Sequence, residues 1–333
     1  MKILITGVAG LMGSHLAEKF LEEGHAVYGI DNLSIGLLSN IPPRVKFYEA
    51  DLKDVKETDF LINHIRPDIV HFCAAWAHEG LSSFAPKLIT DNIYNIFLNT
   101  LVPSIKYKVK WFVQYSSMAV YGNQTPPFDE TLPRKPVDIY GIAKSAAEQA
   151  LESLSDVHDF RYTIIRPHNL IGERQLVDPY RNVAMIMMNR IMQGKPPIIY
   201  GDGKQKRAFS YVGDAIPCLT PIGITNFPDK EIINIGPTEE YTINYLCKTI
   251  LKTFNSDLKP IHMPDRPKEV KYAWCTNDKA KKLLNFEVKT SFEDAIKKMV
   301  FWAKEQGPRE FKYLDKLELE GKNVPKTWSK HII

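Results

Sequence analysis

The chain of 333 residues is long enough for a large core or for two sub-domains that close on a cleft. With 44% hydrophobic and 25% charged residues it resembles an ordinary soluble globular protein, and its net charge of +4 is too small to indicate nucleic acid or a membrane surface as a partner. Four scattered cysteines indicate neither a disulfide framework nor a metal site. We expect no signal peptide and no membrane span, and therefore a cytoplasmic protein.

A dinucleotide-binding unit is predicted at the start of the chain. The apolar run 3–5 predicts a strand, the glycine-rich stretch 6–13 a tight turn, and the periodicity of 14–22 a helix. A second strand is predicted at 26–30, and it ends on Asp31. The glycines let the backbone approach a pyrophosphate at the helix N-terminus, and an acidic residue at this distance can accept a hydrogen bond from a ribose hydroxyl.

The residues after the second strand favour NAD over NADP. The carboxylate of Asp31 would repel a 2′-phosphate, and residues 32–34 include no basic side chain to receive one. In this unit we expect cofactor contacts from Gly7, Gly10, Leu11, Met12, Gly13, Asp31 and Asn32.

Two further strands are predicted to extend the cofactor site. A third strand at 45–50 is followed by residues placed to meet the adenine, and a fourth at 69–75 ends in two small side chains that let a cofactor lie close. The residues expected at the cofactor here are Asp51, Leu52, Ala74 and Ala75. Glu79 follows in a loop that can face a cleft, so a substrate contact there is left open, and a helix is predicted at 91–105.

Polar residues in the middle of the chain are predicted to carry the chemistry. A fifth strand at 111–115 delivers Ser116 and Ser117 to the carboxyl edge of the sheet, where ligands of such folds bind. Tyr140 and Lys144, four residues apart, share one face of a predicted helix. A phenol acts as a base near neutrality only if its pKa falls by about three units, and an adjacent positive charge lowers it.

The later elements complete a fold of the α/β class. A sixth strand is predicted at 162–166, an apolar helix at 182–193, a short strand at 198–200, and a strand at 231–235 that rejoins the sheet. We therefore predict a Rossmann-type doubly wound parallel sheet with a smaller C-terminal α+β substrate lobe.

The chain is predicted to cross between the two lobes more than once. The NAD-binding domain should comprise residues 1–166 plus about 208–236, and the substrate lobe residues 167–207 and 237–333. This division follows from the strand at 231–235, which lies beyond residues assigned to the substrate lobe.

With these motifs assembled, the chain resembles the extended short-chain dehydrogenase/reductase family, in particular its NAD-dependent nucleotide-sugar epimerases and dehydratases. The resemblance covers about residues 1–300 and is strongest to proteins described as UDP-glucose 4-epimerase-like. The motifs that carry it are TGxxGxxG from Thr6, Asp31, Asp51-Leu52, SSxxxYG from Ser116, YxxxK from Tyr140, RPxN from Arg166, YRNV from Tyr180 and GDGxQxRxFxYV from Gly201.

The resemblance implies a mechanism and further cofactor contacts. Tyr140 takes the proton of a sugar hydroxyl while the carbon passes hydride to NAD, Lys144 lowers the Tyr140 pKa and holds the nicotinamide ribose, and Ser117 hydrogen-bonds the reacting oxygen. Reduction of the resulting 4-keto sugar on its other face gives epimerisation at C4. The further residues implied at the cofactor are Asn92, Ser116, Tyr140, Lys144, Pro167 and His168.

The two positions after Ser117 bear on the choice of reaction. Family members that eliminate water place acids there, and decarboxylases and 3,5-epimerases also place a reactive side chain at the second position. This chain has Met118 and Ala119, which cannot move a proton. An acid supplied from elsewhere, such as Glu79, would undo this argument.

The resemblance also implies how the substrate is held. Asn169, Arg207 and Arg266 should grip a diphosphate, a role that suits guanidinium groups. Ala273 falls at the position that gates the sugar pocket, where a small side chain leaves room for a 2-acetamido group. Substrate contacts are thus expected from Ser117, Met118, Ala119, Asn169, Arg207, Arg266 and Ala273.

We therefore predict a homodimeric NAD-dependent enzyme that epimerises a nucleotide-diphosphate sugar at C4. A nucleotide-sugar 4-dehydrogenase, or another epimerase or dehydratase of the same family, is the first alternative. A dinucleotide-sensing protein without turnover is the second, although a sensor has no need of an activated phenol. The sequence identifies neither the nucleotide nor the sugar.

Overall fold

The computed structural model describes residues 1–267 and 269–333. The strands of this part of the chain are β1 (Lys2–Thr6), β2 (Ala26–Asp31), β3 (Lys46–Glu49), β4 (Ile69–Phe72), β5 (Trp111–Tyr115), β6 (Arg161–Pro167), β7 (Leu170–Ile171), β8 (Ile198–Tyr200), β9 (Lys206–Arg207), β10 (Ser210–Tyr211), β11 (Glu231–Ile235), β12 (Tyr241–Thr242), β13 (Ile261–Met263) and β14 (Tyr272–Ala273). The helices are α1 (Leu11–Glu22), α2 (Val55–Ile65), α3 (Glu79–Ser82), α4 (Pro86–Thr90), α5 (Ile96–Lys106), α6 (Ile139–His158), α7 (Val183–Met192), α8 (Val212–Leu219), α9 (Ile243–Phe254), α10 (Asp278–Leu284), α11 (Phe292–Gln306) and α12 (Lys326–Ser329). A π-helical turn, Asp91–Asn95, precedes α5.

Seven parallel strands form the main sheet, in the order β11-β6-β5-β4-β1-β2-β3. Strands β4 and β5 are buried along their whole length, because helices cover both faces of the sheet, and this explains their nearly unbroken apolar sequences. The strand order reverses between β1 and β4, and ligands of open α/β sheets bind in the crevice at that point. The predicted Rossmann-type α/β fold is confirmed.

Two apolar cores lie on the two faces of the main sheet. Helices α1, α8 and α10 pack on one face, and helices α2, α5 and α6 pack on the other. A further core joins α7, α9 and α11, where Met185, Met187 and Met188 are almost fully buried. These methionines fill gaps between helices, a role that suits their flexible side chains.

Strand β11 returns to the main sheet, as predicted from its apolar sequence. It pairs in parallel with β6, with Ile233 opposite Ile165, after the chain has passed through α7 and the short strands β7 to β10. Helix α10 also contributes Ala280 and Leu284 to a core of the main sheet, although the predicted boundaries assign it to the substrate lobe. Those boundaries stay a prediction. Among the described helices, none combines the length and apolarity needed to span a bilayer.

Candidate active site

A cavity of ≈ 410 Å³ opens at the carboxyl edge of the main sheet, at the strand-order reversal. Most of the residues predicted from sequence line it: Gly7, Gly10, Leu11, Met12, Gly13, Asp31, Asn32, Asp51, Leu52, Ala74, Ala75, Asn92, Ser116, Ser117, Met118, Tyr140, Lys144, Pro167, Asn169, Arg207 and Arg266. We call the part formed by Glu79, Tyr200, Arg207 and Arg266 the arginine side. The fold therefore brings the glycine-rich turn, the Ser-Tyr-Lys group and the arginine side into one cavity.

Three predicted residues lie outside this cavity. Ala119 and Ala273 line an adjoining cavity of ≈ 70 Å³, which shares Glu79 and both arginines of the arginine side. His168 lines neither cavity, so the structure does not bring this predicted cofactor residue to the site. Its backbone N–H donates to the Ile235 carbonyl at 3.0 Å, so the chain directly after β6 stays paired with β11. Its ring is fully buried beside Gly236, the residue that follows β11.

The glycine-rich turn has the shape that a dinucleotide needs. A Cβ at Gly13 would lie 2.2 Å from the Gly7 carbonyl oxygen, and a Cβ at Gly7, whose φ is +69°, would lie 2.8 Å from the Ala74 nitrogen. Helix α1 begins at Leu11, so its first N–H groups lie beside this cradle, where they can bind a phosphate. The residues present therefore fit a bound dinucleotide.

Asp31 at the end of β2 stabilises the same turn. Its carboxylate accepts hydrogen bonds from the backbone N–H groups of Ala9 at 3.0 Å and Leu33 at 2.8 Å. Burial raises the pKa of Asp31 and these hydrogen bonds oppose the rise, and the net direction is up. Each carboxylate oxygen retains a lone pair with which to accept from a ribose hydroxyl.

We expect Asp31→Asn to lower the affinity for NADH about tenfold, because a charge-assisted hydrogen bond to the ribose is lost. The affinity for NADPH should stay unchanged or rise, because the repulsion of a 2′-phosphate is removed as well. Fluorescence titration of both nucleotides measures this, with the exposed Asp257→Asn as control. An equal loss of affinity for the two nucleotides would instead mean that the turn itself had been disrupted.

Asn92 reaches the cavity from the π-helical turn Asp91–Asn95. Its backbone is non-helical, with φ −89° and ψ 15°, and its amide Nδ2 donates to the Leu88 carbonyl at 2.8 Å. The prediction of one continuous helix over 91–105 is therefore wrong at this turn. Such π-turns often occur where a helix contributes to a site.

The chemistry-bearing residues of α6 are held by the start of that helix. The Asp138 side chain caps α6 by accepting from the Gly141 N–H at 2.7 Å, and Tyr140 lies in the first turn with 5% of its surface exposed. Lys144, in the next turn, is 4% exposed and donates from Nζ to the Tyr115 carbonyl at 2.8 Å. The cap and the buried contacts fix both side chains at the cavity wall.

The buried position of Tyr140 opposes the predicted lowering of its pKa. Burial raises its pKa, the charge of Glu79 raises it further, and a hydrogen bond from Ser117 lowers it only in part. The Lys144 ammonium lies 6.0 Å from the centre of the Tyr140 ring and is bound to the Tyr115 carbonyl instead. This environment therefore favours the neutral phenol, and a positive charge beside the ring would be needed to lower the pKa of Tyr140. Burial lowers the pKa of Lys144 to about 8.

A buried ionic network fastens α6 to β6. The Arg166 guanidinium donates to both Glu148 carboxylate oxygens, at 2.9 and 2.6 Å, and to the Tyr121 hydroxyl at 2.8 Å. Arg134 donates to the same carboxylate at 2.6 Å, and Tyr121 donates to the Asn234 side chain in β11 at 2.8 Å. Arg166 and Glu148 are almost completely buried. The arginine of the RPxN motif therefore positions the helix that carries Tyr140.

The arginine side is built from two differently held guanidinium groups. Arg207 donates to the carbonyl oxygens of Val270 and Lys271. Arg266 pairs with Glu269 at 3.2 Å and lies 4.8 Å over the Tyr200 ring. Both side chains line the cavity, where their donors can reach an anion.

Glu79 is a site residue that sequence analysis left open. It starts α3, lines both cavities, and has surface that is open to them. Enclosure of the carboxylate by the cavity walls raises the pKa of Glu79 to about 7, with a further rise from Asp138 and opposition from both arginines of the arginine side. Within the described residues, its carboxylate forms no hydrogen bond or ion pair.

Sequence analysis also assigned no role to Arg181 and Asn182. Both line the cavity, and Arg181 Nε and Asn182 Nδ2 are buried without a hydrogen-bond partner among the described residues. Asn182 has a left-handed backbone, with φ 63°, immediately before α7. Unpaired buried donors at a cavity wall are suited to a ligand, but the YRNV motif carries no signal of where those donors point.

The parallel sheet, the glycine-rich turn and the Ser117, Tyr140 and Lys144 group define an enzyme of the short-chain dehydrogenase/reductase class. The family model described as "NAD dependent epimerase/dehydratase family" matches residues 3–236. The chain belongs to this family, and its cofactor is NAD.

Individual relatives match nearly their whole length. A "Putative UDP-glucose 4-epimerase" of Methanocaldococcus jannaschii is 33% identical over 307 residues, which are 91% of this chain and 98% of that protein. A "UDP-N-acetyl-alpha-D-glucosaminuronate decarboxylase" of Bacillus cytotoxicus is 30% identical, over 91% of this chain and 98% of that protein. The crystal structure of a UDP-glucose 4-epimerase with UDP-glucose from Thermotoga maritima has a TM-score of 0.86 and 33% identity, over 92% of this chain and 99% of that chain.

Proposed function

We propose that this protein is an NAD-dependent epimerase that inverts C4 of a nucleotide-diphosphate sugar through a 4-keto intermediate. The observation that carries the proposal is the single cavity shared by the glycine-rich turn, the Ser-Tyr-Lys group and the arginine side. A UDP-hexose is the first substrate to test, because relatives described as UDP-glucose 4-epimerases match nearly the full chain. A homodimer and a cytoplasmic location stay predictions.

Each residue of the site has a separate role in the proposed reaction. Bound NAD would supply the acceptor, and then the donor, of a hydride at C4. Ser117 and Tyr140 would hydrogen-bond the C4 oxygen, and Tyr140 would exchange the hydroxyl proton with it. Lys144 would hold the ribose, and Arg207 and Arg266 the diphosphate. Oxidation at C4 would need the phenolate of Tyr140 to take the hydroxyl proton, and the phenol so formed would return that proton to the keto oxygen when the sugar is reduced.

A panel of UDP-, GDP- and CDP-sugars tests this proposal. Purified protein is incubated with each sugar and NAD, with C4 configuration followed by NMR and NADH by absorbance. Inversion at C4 without net NADH supports the epimerase. NADH accumulating with a ketone would favour the 4-dehydrogenase, and absence of both binding and turnover would favour a dinucleotide sensor.

Glu79 supports a second candidate, an enzyme that also exchanges a proton on a carbon beside the keto group. Met118 and Ala119 cannot move a proton, but Glu79 lines the same two cavities, and its carboxylate has no hydrogen-bond or ion-pair partner among the residues that the structure describes. Oxidation at C4 makes the neighbouring C–H bonds acidic. A carboxylate with a pKa near 7 can take such a proton, leaving the electron pair in an enolate at the C4 oxygen, and can return a proton to the carbon.

We expect turnover in D₂O to place deuterium at C3 or C5, and Glu79→Gln to lower this incorporation about 100-fold while retaining oxidation at C4. The exchange rate should rise as pH increases through about 7, because only ionised Glu79 accepts a proton. Proton NMR of the recovered sugar measures the incorporation, and the exposed Glu305→Gln is the control. Turnover at C4 without deuterium at either carbon would eliminate this candidate and leave simple epimerisation.

A further inference from the structure

Residues 308–333, here called the strap, are docked onto the protein although they contain little regular structure. Among the described residues of the strap, only Lys326–Ser329 form a helix, α12. Yet Thr327, Trp328 and Ile333 are 0%, 3% and 5% exposed. The burial of these residues shows that the strap is held in a defined place by contacts with the rest of the protein.

One set of contacts holds the strap to the helices that follow β4. The Glu318 carboxylate accepts from the backbone N–H groups of Lys87 at 2.8 Å and Leu88 at 2.7 Å in α4. The Leu319 N–H donates to the Phe84 carbonyl at 2.9 Å. These helices lie directly after the strand end that carries Ala74 and Ala75.

A second set of contacts holds the strap to α7 and β8. The Asn189 side chain exchanges two hydrogen bonds of 2.8 Å with the backbone of Arg309, and Arg190 donates to the Ile332 carbonyl at 2.8 Å. The hydroxyls of Tyr200 and Thr327 are 2.5 Å apart. The strap thus connects α4 to α7 and β8, and both α7 and β8 contribute side chains to the cavity lining.

The strap also contributes to the cavity wall directly. Ile333 lines the cavity, and the Trp328 ring packs edge-on against Tyr180, with 5.3 Å between ring centres. A Cβ at Gly80 would lie 3.3 Å from the Trp328 ring and 3.6 Å from the Arg266 guanidinium. Gly80 is therefore held between the strap and the arginine side, and its neighbour Glu79 is placed with it.

The relatives are covered over 98% to 99% of their own length, whereas 91% to 92% of this chain takes part in those matches. The family motifs all lie before residue 304, so we assign the unmatched part to the strap. We propose that the strap is a fixed wall of the arginine side, and that Trp328, as a positioning residue, sets the place of Glu79 and so determines which sugar is accepted. This inference rests on the proposed binding of a nucleotide-diphosphate sugar.

Trp328→Ala tests the inference, with Trp328→Phe as the conservative variant. We expect Trp328→Ala to raise KM for the preferred nucleotide sugar about tenfold and to reduce discrimination within the sugar panel, because the wall beside Gly80 is removed. Trp328→Phe should restore most of the selectivity. NADH affinity should change less than twofold in both, since within the described residues no hydrogen bond joins the strap to the glycine-rich turn or to Asp31.

Trp302→Ala is the matched control, since Trp302 packs against the core of α7, α9 and α11 and does not line either cavity. It should lower thermal stability without altering the order of preferred sugars. Should Trp328→Ala not fold, Glu318→Ala replaces it, because it loosens the strap at an exposed contact and should reduce selectivity to a smaller extent.

The outcomes separate the inference from the function on which it rests. Wild-type selectivity in Trp328→Ala or in its Glu318→Ala substitute, or equal losses of NADH and sugar affinity, would overturn the inference alone. Calorimetry that detects no binding of any nucleotide sugar to the wild-type protein would overturn both.

Discussion

Tyr140→Phe is expected to lower kcat for the preferred nucleotide sugar by about 10²- to 10⁴-fold, the usual contribution of a positioned acid–base group. The phenol is buried at the cavity, hydrogen-bonded by Ser117, and phenylalanine removes only its oxygen. KM and NADH affinity should change little, because neither depends on that proton. Initial rates and NADH titration measure the three quantities.

Tyr245→Phe is the control for this variant. Tyr245 is 40% exposed in α9, its hydroxyl meets Glu293, and it does not line the cavity. Its removal should leave kcat within twofold of the wild-type value. Undiminished turnover in Tyr140→Phe would eliminate the proposed mechanism. A loss of turnover accompanied by a large loss of thermal stability would mean that the hydroxyl is needed for folding instead.

Arg166→Met is expected to lower the free energy of unfolding by about 3–5 kcal/mol, because the Glu148 carboxylate stays buried after it has lost Arg166 as a partner. Arg166 is 1% and Glu148 0% exposed, and three hydrogen bonds of Arg166 disappear with the guanidinium. Urea denaturation followed by circular dichroism measures the change. The exposed Arg44→Met should stay within about 0.5 kcal/mol of the wild type.

Adding Glu148→Leu to Arg166→Met should restore part of the lost stability, because it removes a buried carboxylate that retains only Arg134 as a charged partner. The pair also predicts a pH dependence. Burial raises the pKa of Glu148, but the hydrogen bonds and charge of Arg166 outweigh burial and hold it below its ordinary value. The pair therefore stabilises the protein above the ordinary pKa of glutamate, and this contribution is lost as pH falls through the lowered value. Equal stability of Arg166→Met and the wild type at neutral pH would contradict the account.

Much of the main sheet is predictable, because its strands are apolar runs between polar or turn-forming residues. Strands β5, β8 and β11 have the predicted bounds. Helix α1 starts at Leu11, three residues before the predicted start at residue 14. The prediction places the start too late because glycines are typical of turns, whereas Gly13 here lies within the first helical turn. Local patterns do not encode that close approach of the backbone to Gly7.

The candidate site is predictable where a motif follows a strand, and less so where tertiary contacts decide. Ser117 and Asp31 reach the cavity because parallel strands end at one edge of the sheet. The direction of the Tyr140 pKa depends on burial and on Glu79, which is 61 positions away in the chain. Likewise, nothing near His168 in the sequence indicates that its ring packs against Gly236, directly after β11.

The docked strap has a practical consequence for recombinant work. Ile333 is 5% exposed against the cavity, so an affinity tag joined after it would be forced against the substrate wall or would lift the strap away. Met1 is 42% exposed and precedes β1, so it lies at the amino edge of the sheet, whereas the cavity opens at the carboxyl edge. A tag belongs at the amino end, and kinetic constants from carboxyl-tagged preparations would describe an altered pocket.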